Sequence, residues 1–494
     1  MTKYHGRIRR TRSMSIISFL CAFFVFEAHA EIKLPAIFSD NMVLQRQSQV
    51  AVWGWAKPNA TVSVTGSWNR KSYSAKSDAN GRWRVKIETP AAGLTPYTLT
   101  ISDGKAVILE NVLIGEVWLC SGQSNMEMPM KGYRDQPIEG GPEAIVLSAN
   151  SGIRCFTVKR AAKAAPQDDC TGVWEIACPQ TTPGFTATGY FFARMINRML
   201  NVPVGLIHAS FGGSFIEAWM PSSSLKDIPE KPIPASDADI KSRLATPTGL
   251  FNGMIHPVLD YGIRGAVWYQ GESNTHEPTL YVKMFDAMVR EWRNLWGVGE
   301  FPFYYCQIAP WDEYDNHNSS GPYIDYDNYG VGVNSAYFRE AQAKGMTTTP
   351  NTGMAVLMDA QSGDCIHPPK KRDAGERLAL WALAKTYGMD TIHYRSPEVK
   401  SLEIEGRVAV VTFDMNENPG LTTYDREILN FRIAGKDKQF YRAKAACAGN
   451  KVYVFSPSVA EPVAVRYCFD NRSSTELFTF KSNLPVSSFR TDDW

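Results

Sequence analysis

The sequence predicts an α/β protein with a mostly parallel sheet, helices on both faces and β-rich segments at either end. Between about residues 111 and 395, continuous apolar runs alternate with long amphipathic stretches. That pattern is typical of buried parallel strands connected by helices. On either side of this region, short runs alternate apolar and polar residues with a period of two, which favours antiparallel strands. At 494 residues the chain is long enough for two or three domains.

The first 30 residues have the composition of a secretory signal peptide. Basic residues precede the apolar run IISFLCAFFVF, and AHA stands before Glu31, as at an A-x-A cleavage site. We expect cleavage after Ala30 and export to the periplasm or the medium. The segment holds five of the 52 Lys and Arg and one of the 50 Asp and Glu, which leaves 47 against 49. The mature chain is therefore near neutral, and its charge indicates neither nucleic acid nor, after cleavage, a membrane as partner.

Residues 31–110 predict a small β-sandwich. Runs with a period of two are separated by turn sequences such as SDANG and AAGLTP; the runs are VAVWGWA, TVSVTGSW, RWRVKIE and YTLTISD. A second β-rich region is expected over residues 396–494, where similar runs return; these are RVAVVTFD, FRIAG, KVYVFSP and PVAVRYCF.

Residues 111–395 are expected to form the central α/β domain. Its predicted strands are EVWLC, VPVGLIHAS, GAVWYQG, FPFYYCQIA and GMAVLMDA, and its predicted helices are ATGYFFARMINRML, LYVKMFDAMVREWRNLWG and KRDAGERLALWALAKTYG. The acidic, tyrosine-rich segment 311–332 is long for a connection, and we expect it to border a binding site. The cysteines lack zinc-like spacing, so no metal is expected; Cys170–Cys178 and Cys447–Cys468 are the nearest candidates for disulfides.

Small polar residues and glycines follow three of the predicted strands. In open α/β folds, ligands bind at the carboxyl ends of the strands, so these positions are candidates for a functional site. They are Gln123, Ser124, Asn125, Gly212, Gly213, Gln270 and Glu272. A fourth segment, GDCIHP, places Asp364 three residues before His367, after the strand GMAVLMDA.

These residue types suit acyl transfer. A serine hydroxyl such as that of Ser124 becomes a nucleophile when an adjacent imidazole removes its proton. His367 can serve as that base, and Asp364 can fix its tautomer and stabilise the imidazolium. An oxyanion needs hydrogen-bond donors. The backbone N–H groups of Ser124 and of Gly213 or Gly212, together with the Gln270 amide, can provide three.

Several of these segments resemble the sialate O-acetylesterase-like family of the SGNH (GDSL-like) hydrolases. They are GEVWLCSGQSNM, WYQGESN, the IHP segment, the closing FRTDDW and LPAIFSDNMVLQRQ near the mature N-terminus. The resemblance implies a three-layer α/β/α hydrolase domain and a carboxylic ester hydrolase that deacetylates O-acetylated sugars, sialic acids above all. It also implies Ser124 as nucleophile, His367 as base and Gln270 in the oxyanion hole, with no cofactor.

The residue that orients His367 is left open by the sequence. Related proteins often carry the acid two residues before the histidine, where this chain has Cys365. Asp364 stands three before, as in the D-x-x-H pattern of the wider superfamily, and is the first candidate. Asp359 and a backbone carbonyl are the alternatives.

The remaining assignments concern substrate. Gln123, Asn125 and Glu272 are candidates for substrate binding, with a structural hydrogen bond the favoured role for Glu272. The expected partner is an O-acetylated sugar or glycan, and the oligomeric state is left open. Two other functions fit the same sequence, an acetylesterase acting on acetylxylan or another plant polysaccharide, and a carbohydrate-binding protein without turnover. Covalent labelling of Ser124 by a fluorophosphonate separates either esterase from the binding protein.

Overall fold

The computed structural model describes residues 1–2, 32–311, 334–363 and 365–494. Three predicted features fall outside the described residues. They are the signal peptide except for Met1 and Thr2, the tyrosine-rich segment except for Trp311, and Asp364. Within the described ranges, no helix combines the length and the apolar character that a membrane span requires.

The N-terminal strands lead directly into the central sheet. They are β1 (Val43–Gln45), β2 (Gln49–Trp55), β3 (Thr61–Gly66), β4 (Ser72–Lys76), β5 (Arg82–Glu88), β6 (Gly93–Ser102) and β7 (Ala106–Gly122). One pair is formed by β2 and β5. Neighbouring strands also pair in the order β4, β3, β6 and β7, and β1 lies parallel to β7. The boundary expected between residues 110 and 111 falls inside β7. The N-terminal unit and the central sheet therefore share one continuous strand.

The second half of β7 is the middle strand of the central sheet. The order across the sheet is β13, β12, β11, β7, β10, β8 and β9. All neighbouring strands in this order run parallel except β8 and β9, which are antiparallel. The strands that join β7 here are β8 (Asn150–Thr157), β9 (Trp174–Ala177), β10 (Val204–Ser210), β11 (Gly265–Tyr269), β12 (Phe303–Cys306) and β13 (Thr352–Ala355).

Helices cover both faces of this sheet. They are α1 (Ser124–Glu127), α2 (Gly141–Val146), α3 (Ala187–Leu200), α4 (Pro278–Trp296), α5 (Ser335–Thr348) and α6 (Lys371–Trp381). On one face α3 packs beside α6, and Phe192 of α3 contacts Trp118 of β7 with ring centroids 5.0 Å apart. On the other face α4 packs beside α5, and Trp292 contacts Trp268 at 6.0 Å. The predicted α/β class is confirmed.

The local sequence explains why α4 forms and where it ends. Its buried residues recur three and four positions apart, the spacing that places side chains on one face of a helix; they are Tyr281, Met284, Phe285, Met288, Val289, Trp292, Arg293 and Trp296. Pro278 occupies the first turn, where a missing N–H costs nothing. Gly297 ends the helix at φ 63°, and its N–H donates to the Arg293 carbonyl.

The C-terminal region is β-rich, as expected. Its strands are β14 (Glu398–Glu405), β15 (Val408–Asp414), β16 (Leu421–Thr422), β17 (Phe431–Ala434), β18 (Phe440–Arg442), β19 (Lys444–Ala448), β20 (Lys451–Phe455), β21 (Ala464–Tyr467), β22 (Phe478–Thr479) and β23 (Phe489–Arg490). Two four-stranded sheets have the orders β14-β15-β20-β19 and β18-β17-β21-β23. In the described part of the chain the cysteines are free thiols, so neither candidate disulfide is formed.

Candidate active site

Three strands of the central sheet end at the same level. Gly122, the last residue of β7, pairs with Ser210, the last residue of β10. Gly122 also pairs with Tyr269, the last residue of β11. The loops that follow these strands therefore start side by side at the carboxyl edge of the sheet. This register brings together Ser124, the Gly212-Gly213 turn and Gln270, as the sequence predicts.

Ser124 is presented by a tight turn that requires glycine at position 122. Gly122 has φ +135°, and a Cβ built on it would lie 2.2 Å from the Tyr269 carbonyl oxygen. The next N–H, that of Gln123, donates to the same carbonyl over 2.9 Å. The chain then turns into α1 at Ser124, which is 8% exposed. The backbone next to the candidate nucleophile is thus held against the adjacent strand.

The side chain of Gln123 holds the loop after β11. Its Oε1 accepts hydrogen bonds from the backbone N–H groups of Gly271 (3.2 Å) and Ser273 (3.3 Å). Gln123 is buried, so its side chain organises the site from within. Its predicted contact with substrate stays a prediction.

The Gly212-Gly213 segment forms a turn beside Ser124. The Ser214 N–H donates to the Phe211 carbonyl over 3.2 Å, and Gly213 has φ +74°, as at the third position of a type II turn. The Gly212 N–H donates to Oε2 of Glu127 over 2.8 Å. In such a turn the N–H of the third residue lies outside the turn's own hydrogen bond. Gly213 therefore has the more available N–H of the two glycines.

Gln270 lies at this edge, but its amide already has partners. Its Nε2 donates to the Ser214 carbonyl (3.1 Å) and to Oδ1 of Asn274 (2.7 Å). Rotating the amide by 180° would turn its oxygen toward two acceptors, so the hydrogen bonds fix this orientation. Gln270 joins the loops that follow β10 and β11. Its role in the oxyanion hole stays a prediction and requires one of these hydrogen bonds to be exchanged.

His367 is half-buried and packs against a turn that follows α1. Its Nδ1 lies 2.8 Å from Oε1 of Gln136, and its ring meets the Tyr133 ring edge-on at 5.2 Å. The Tyr133 hydroxyl donates to the Ser124 carbonyl over 3.2 Å, so one tyrosine contacts both candidate catalytic residues. Burial, with a further contribution from the Lys371 ammonium, lowers the pKa of His367 to about 4. The imidazole is therefore neutral near pH 7, as a general base must be.

A buried polar cluster lies between Ser124 and the segment that carries His367. Nδ2 of Asn125 donates to the Ile366 carbonyl (3.0 Å) and to Oε1 of Glu272 (2.5 Å). The Lys371 ammonium donates to Oδ1 of Asn125 (2.6 Å) and to the Pro368 carbonyl (2.8 Å). The cluster thus binds the carbonyls on both sides of His367. We call Asn125, Glu272 and Lys371 the buried cluster below.

Burial perturbs both ionisable groups of the buried cluster. It lowers the pKa of Lys371 to about 7, with Glu272 acting in the opposite direction. It also raises the pKa of the Glu272 carboxyl, against the hydrogen bond from Asn125 and the charge of Lys371. Since Asn125 and Glu272 are buried and bind protein groups, their roles in substrate binding stay predictions.

The structure answers part of the question of what orients His367. Both oxygens of Asp359 accept hydrogen bonds from the Arg377 guanidinium, at 2.6 and 2.7 Å, so Asp359 is paired elsewhere. Asp364 lies outside the described residues. The partner found at Nδ1, Gln136, was not predicted, and nothing in its local sequence signals the contact, which joins residues 231 positions apart.

Ser124 and His367 both contact Tyr133. Among the described side chains, none forms a hydrogen bond that joins Ser124 Oγ to the His367 ring. Catalytic hydrogen bonds are often long in structures without substrate. Across the part of the chain that the structure describes, no group of three or more His, Cys, Asp and Glu side chains is arranged to hold a metal ion.

Comparisons with known proteins identify related carbohydrate esterases. Residues 114–350 match the carbohydrate esterase family described as sialic acid-specific acetylesterase. The chain is 30% identical over 406 residues to the human sialate O-acetylesterase, covering 75% of this chain and 74% of that protein. It is 30% identical to the rat protein of the same name, covering 82% and 81%. A crystal structure of a carbohydrate acetylesterase from Xanthomonas citri superposes with a TM-score of 0.82 at 36% identity, covering 94% of this chain and all of that one.

Proposed function

This chain belongs to the sialate O-acetylesterase family and is a carboxylic ester hydrolase, and from that membership we propose that it removes O-acetyl groups from sugars through an acyl-enzyme on Ser124. The observation that carries the proposal is the hydrogen bond from Asn125, next to Ser124, to the carbonyl of Ile366, next to His367. It ties the candidate nucleophile to the candidate base at the edge where the strands of the sheet end.

The proposed reaction has two halves. In the first, His367 takes the Ser124 hydroxyl proton, Ser124 Oγ attacks the acetyl carbonyl carbon, and the bond to the sugar oxygen breaks as His367 returns the proton to that oxygen. In the second half, His367 takes a proton from a water molecule that attacks the acetyl carbon, the bond to Ser124 Oγ breaks as His367 returns the proton to Oγ, and acetate leaves. Backbone N–H groups of Ser124 and Gly213 are the proposed oxyanion donors. Each such donor contributes roughly 3 kcal/mol to transition-state stabilisation.

The substrate that we propose is an O-acetylated sialic acid. The matched family description and the human and rat relatives are named for sialic acid, which supports this choice. The structure with 36% identity is titled only as a carbohydrate acetylesterase. The alternative substrate class is therefore an acetylated plant polysaccharide such as acetylxylan.

Acetate release from O-acetylated sialic acid and from acetylated xylan tests these alternatives side by side, with Ser124→Ala as the blank. We expect release from the sialic acid that Ser124→Ala abolishes. Release from xylan alone keeps the mechanism and changes the substrate class. Release that persists in Ser124→Ala contradicts the serine mechanism, and failure of both release and fluorophosphonate labelling favours a binding protein.

The domain organisation that we propose is an SGNH-type three-layer hydrolase domain over residues 111–395, between an N-terminal β-sandwich (31–110) and a C-terminal β-rich region (396–494). Helices on both faces of the central sheet support the three layers. Because β7 crosses residue 110, we expect truncation at that position to yield insoluble protein. A truncated form that is soluble and active would show that the N-terminal unit is dispensable.

We also propose that the protein is exported after cleavage at Ala30. The basic, apolar and A-x-A segments at the N-terminus support this. N-terminal sequencing of the protein recovered from periplasmic and medium fractions should begin at Glu31. A cytoplasmic protein that retains Met1 contradicts the proposal.

A further inference from the structure

A short turn after α1 reaches the face of His367 that bears Nδ1. Tyr133 and Gln136 pair through two backbone hydrogen bonds of 3.1 Å, and the Gly132 N–H donates to the Pro129 carbonyl over 2.8 Å. The Tyr133 hydroxyl is bound to the Ser124 carbonyl. The backbone that carries Gln136 is therefore attached to the backbone that carries Ser124.

Only one orientation of the Gln136 amide is compatible with His367 acting as a base. Oε1 lies 2.8 Å from Nδ1, and a ring that carries its proton on Nδ1 donates that N–H to the amide oxygen and keeps the lone pair on Nε2. Turning the amide over would make Gln136 the donor and place the ring proton on Nε2, where it would prevent proton removal from Ser124. A general base at Nε2 therefore requires Oε1 as the acceptor.

From this contact we propose that Gln136 is the positioning residue that fixes the tautomer and orientation of His367, filling with a neutral amide the place that a carboxylate fills in Ser-His-Asp triads. The proposal rests on His367 being the base of the proposed function. A neutral amide in this place has precedent in the Cys-His-Asn triads of papain-like proteases.

The other groups around the ring support an uncharged partner. The Lys371 ammonium acts on the ring through its charge, the Tyr133 phenol packs against the ring, and the Cys365 Sγ donates to the His367 carbonyl over 3.4 Å. Asp359 is held by Arg377. A cation near the ring together with an amide at Nδ1 agrees with a ring that is held neutral.

The test uses hydrolysis of p-nitrophenyl acetate by the full mature protein, so that it does not depend on the sugar. We expect Gln136→Ala to lower kcat at least about tenfold with little change in KM, since the ring loses its orientation. Gln136→Glu should move the acid limb of kcat/KM upward by about one pH unit or more, because a carboxylate stabilises the imidazolium. Gln439→Ala, on the exposed surface, is the matched control, and thermal melting confirms that each variant is folded.

Two activity measurements would overturn the proposal. One is a Gln136→Ala protein with unchanged kcat and pH profile; the other is a larger loss of kcat in Asp364→Asn than in Gln136→Ala. Nitrogen-15 NMR of the His367 ring measures which tautomer is present and does not depend on enzymatic activity. It should show Nδ1–H in the wild type and a tautomer mixture in Gln136→Ala, whereas Nε2–H in the wild type excludes the proposed contact. An inactive wild type with the expected tautomer would count against the proposed function alone.

Discussion

The Lys371 ammonium donates a hydrogen bond to Oδ1 of Asn125 over 2.6 Å, and both residues are buried. Asn125 follows the candidate nucleophile, and Lys371 also holds the Pro368 carbonyl that follows the candidate base. A buried amine thus connects the two halves of the site. Lys371 positions the site by binding one amide oxygen and one backbone carbonyl, and its charge also lowers the pKa of His367.

Replacing Lys371 tests this connection. Lys371→Met removes two hydrogen bonds, each contributing about 1 kcal/mol, but it also removes the cost of burying an ammonium. We therefore expect Tm to change little and kcat to fall on the order of tenfold as the His367 segment loosens. Lys344→Met, on an exposed part of α5, is the control. Unchanged kcat in Lys371→Met would show that the connection is dispensable.

The pH profile should reflect the lowered pKa of the half-buried His367 imidazole. His367 has its pKa lowered to about 4 from a usual value of 6.5, so the neutral base persists as the pH falls from 6.5 toward 4. We expect kcat/KM to hold through that interval and to drop near pH 4. In Lys371→Met the limb should move to higher pH, because a cation that disfavours the imidazolium is gone. A wild-type limb near 6.5 would contradict this description of His367.

Gln270 can be tested for its two possible roles. Because its amide donates to Ser214 and Asn274, Gln270→Ala removes two buried hydrogen bonds at a cost of about 2 kcal/mol, and Oδ1 of Asn274 keeps only the bond from the Ile216 N–H. We expect a lower Tm together with reduced kcat. If kcat falls steeply while Tm is unchanged, the main partner of the amide is the oxyanion, as the sequence alone predicts.

The close approach of Gly212 to Ser124 gives a steric test. A Cβ on Gly212 would lie 3.0 Å from Oε2 of Glu127 and 3.2 Å from Cβ of Ser124. We expect Gly212→Ala to displace the nucleophile and lower kcat/KM on the order of tenfold, with the fold retained. Gly184→Ala is the matched control, since a Cβ there meets nothing within 4 Å. Equal activity in the two variants would argue that Ser124 is not the reacting residue.

The sequence predicts the individual helices and strands better than it predicts how the domains are connected. Apolar periodicity identifies α3, α4 and α6, and apolar runs identify β10 and β11, because burial on one face or on both dictates these patterns. The apolar pattern does not predict that β7 pairs with the N-terminal strands in its first half and with the central strands in its second half. Each half of β7 has a pattern that fits its own surroundings.

The candidate site divides in the same way. Ser124 and Gln270 are signalled by polar residues directly after apolar strands, a local pattern. Gln136 has no such signal, because its partner His367 lies far away in sequence and a glutamine in a turn is usually a surface residue. The cluster of Asn125, Glu272 and Lys371 likewise depends on contacts that only the folded chain creates.

The most direct test of the central claim is mass spectrometry of the mature protein after reaction with a fluorophosphonate. We predict one adduct, mapped to the peptide containing Ser124, that prevents acetate release and is absent in Ser124→Ala. An unmodified protein, with acetate release that persists in Ser124→Ala, would contradict the assignment of Ser124 as nucleophile and with it the proposed mechanism.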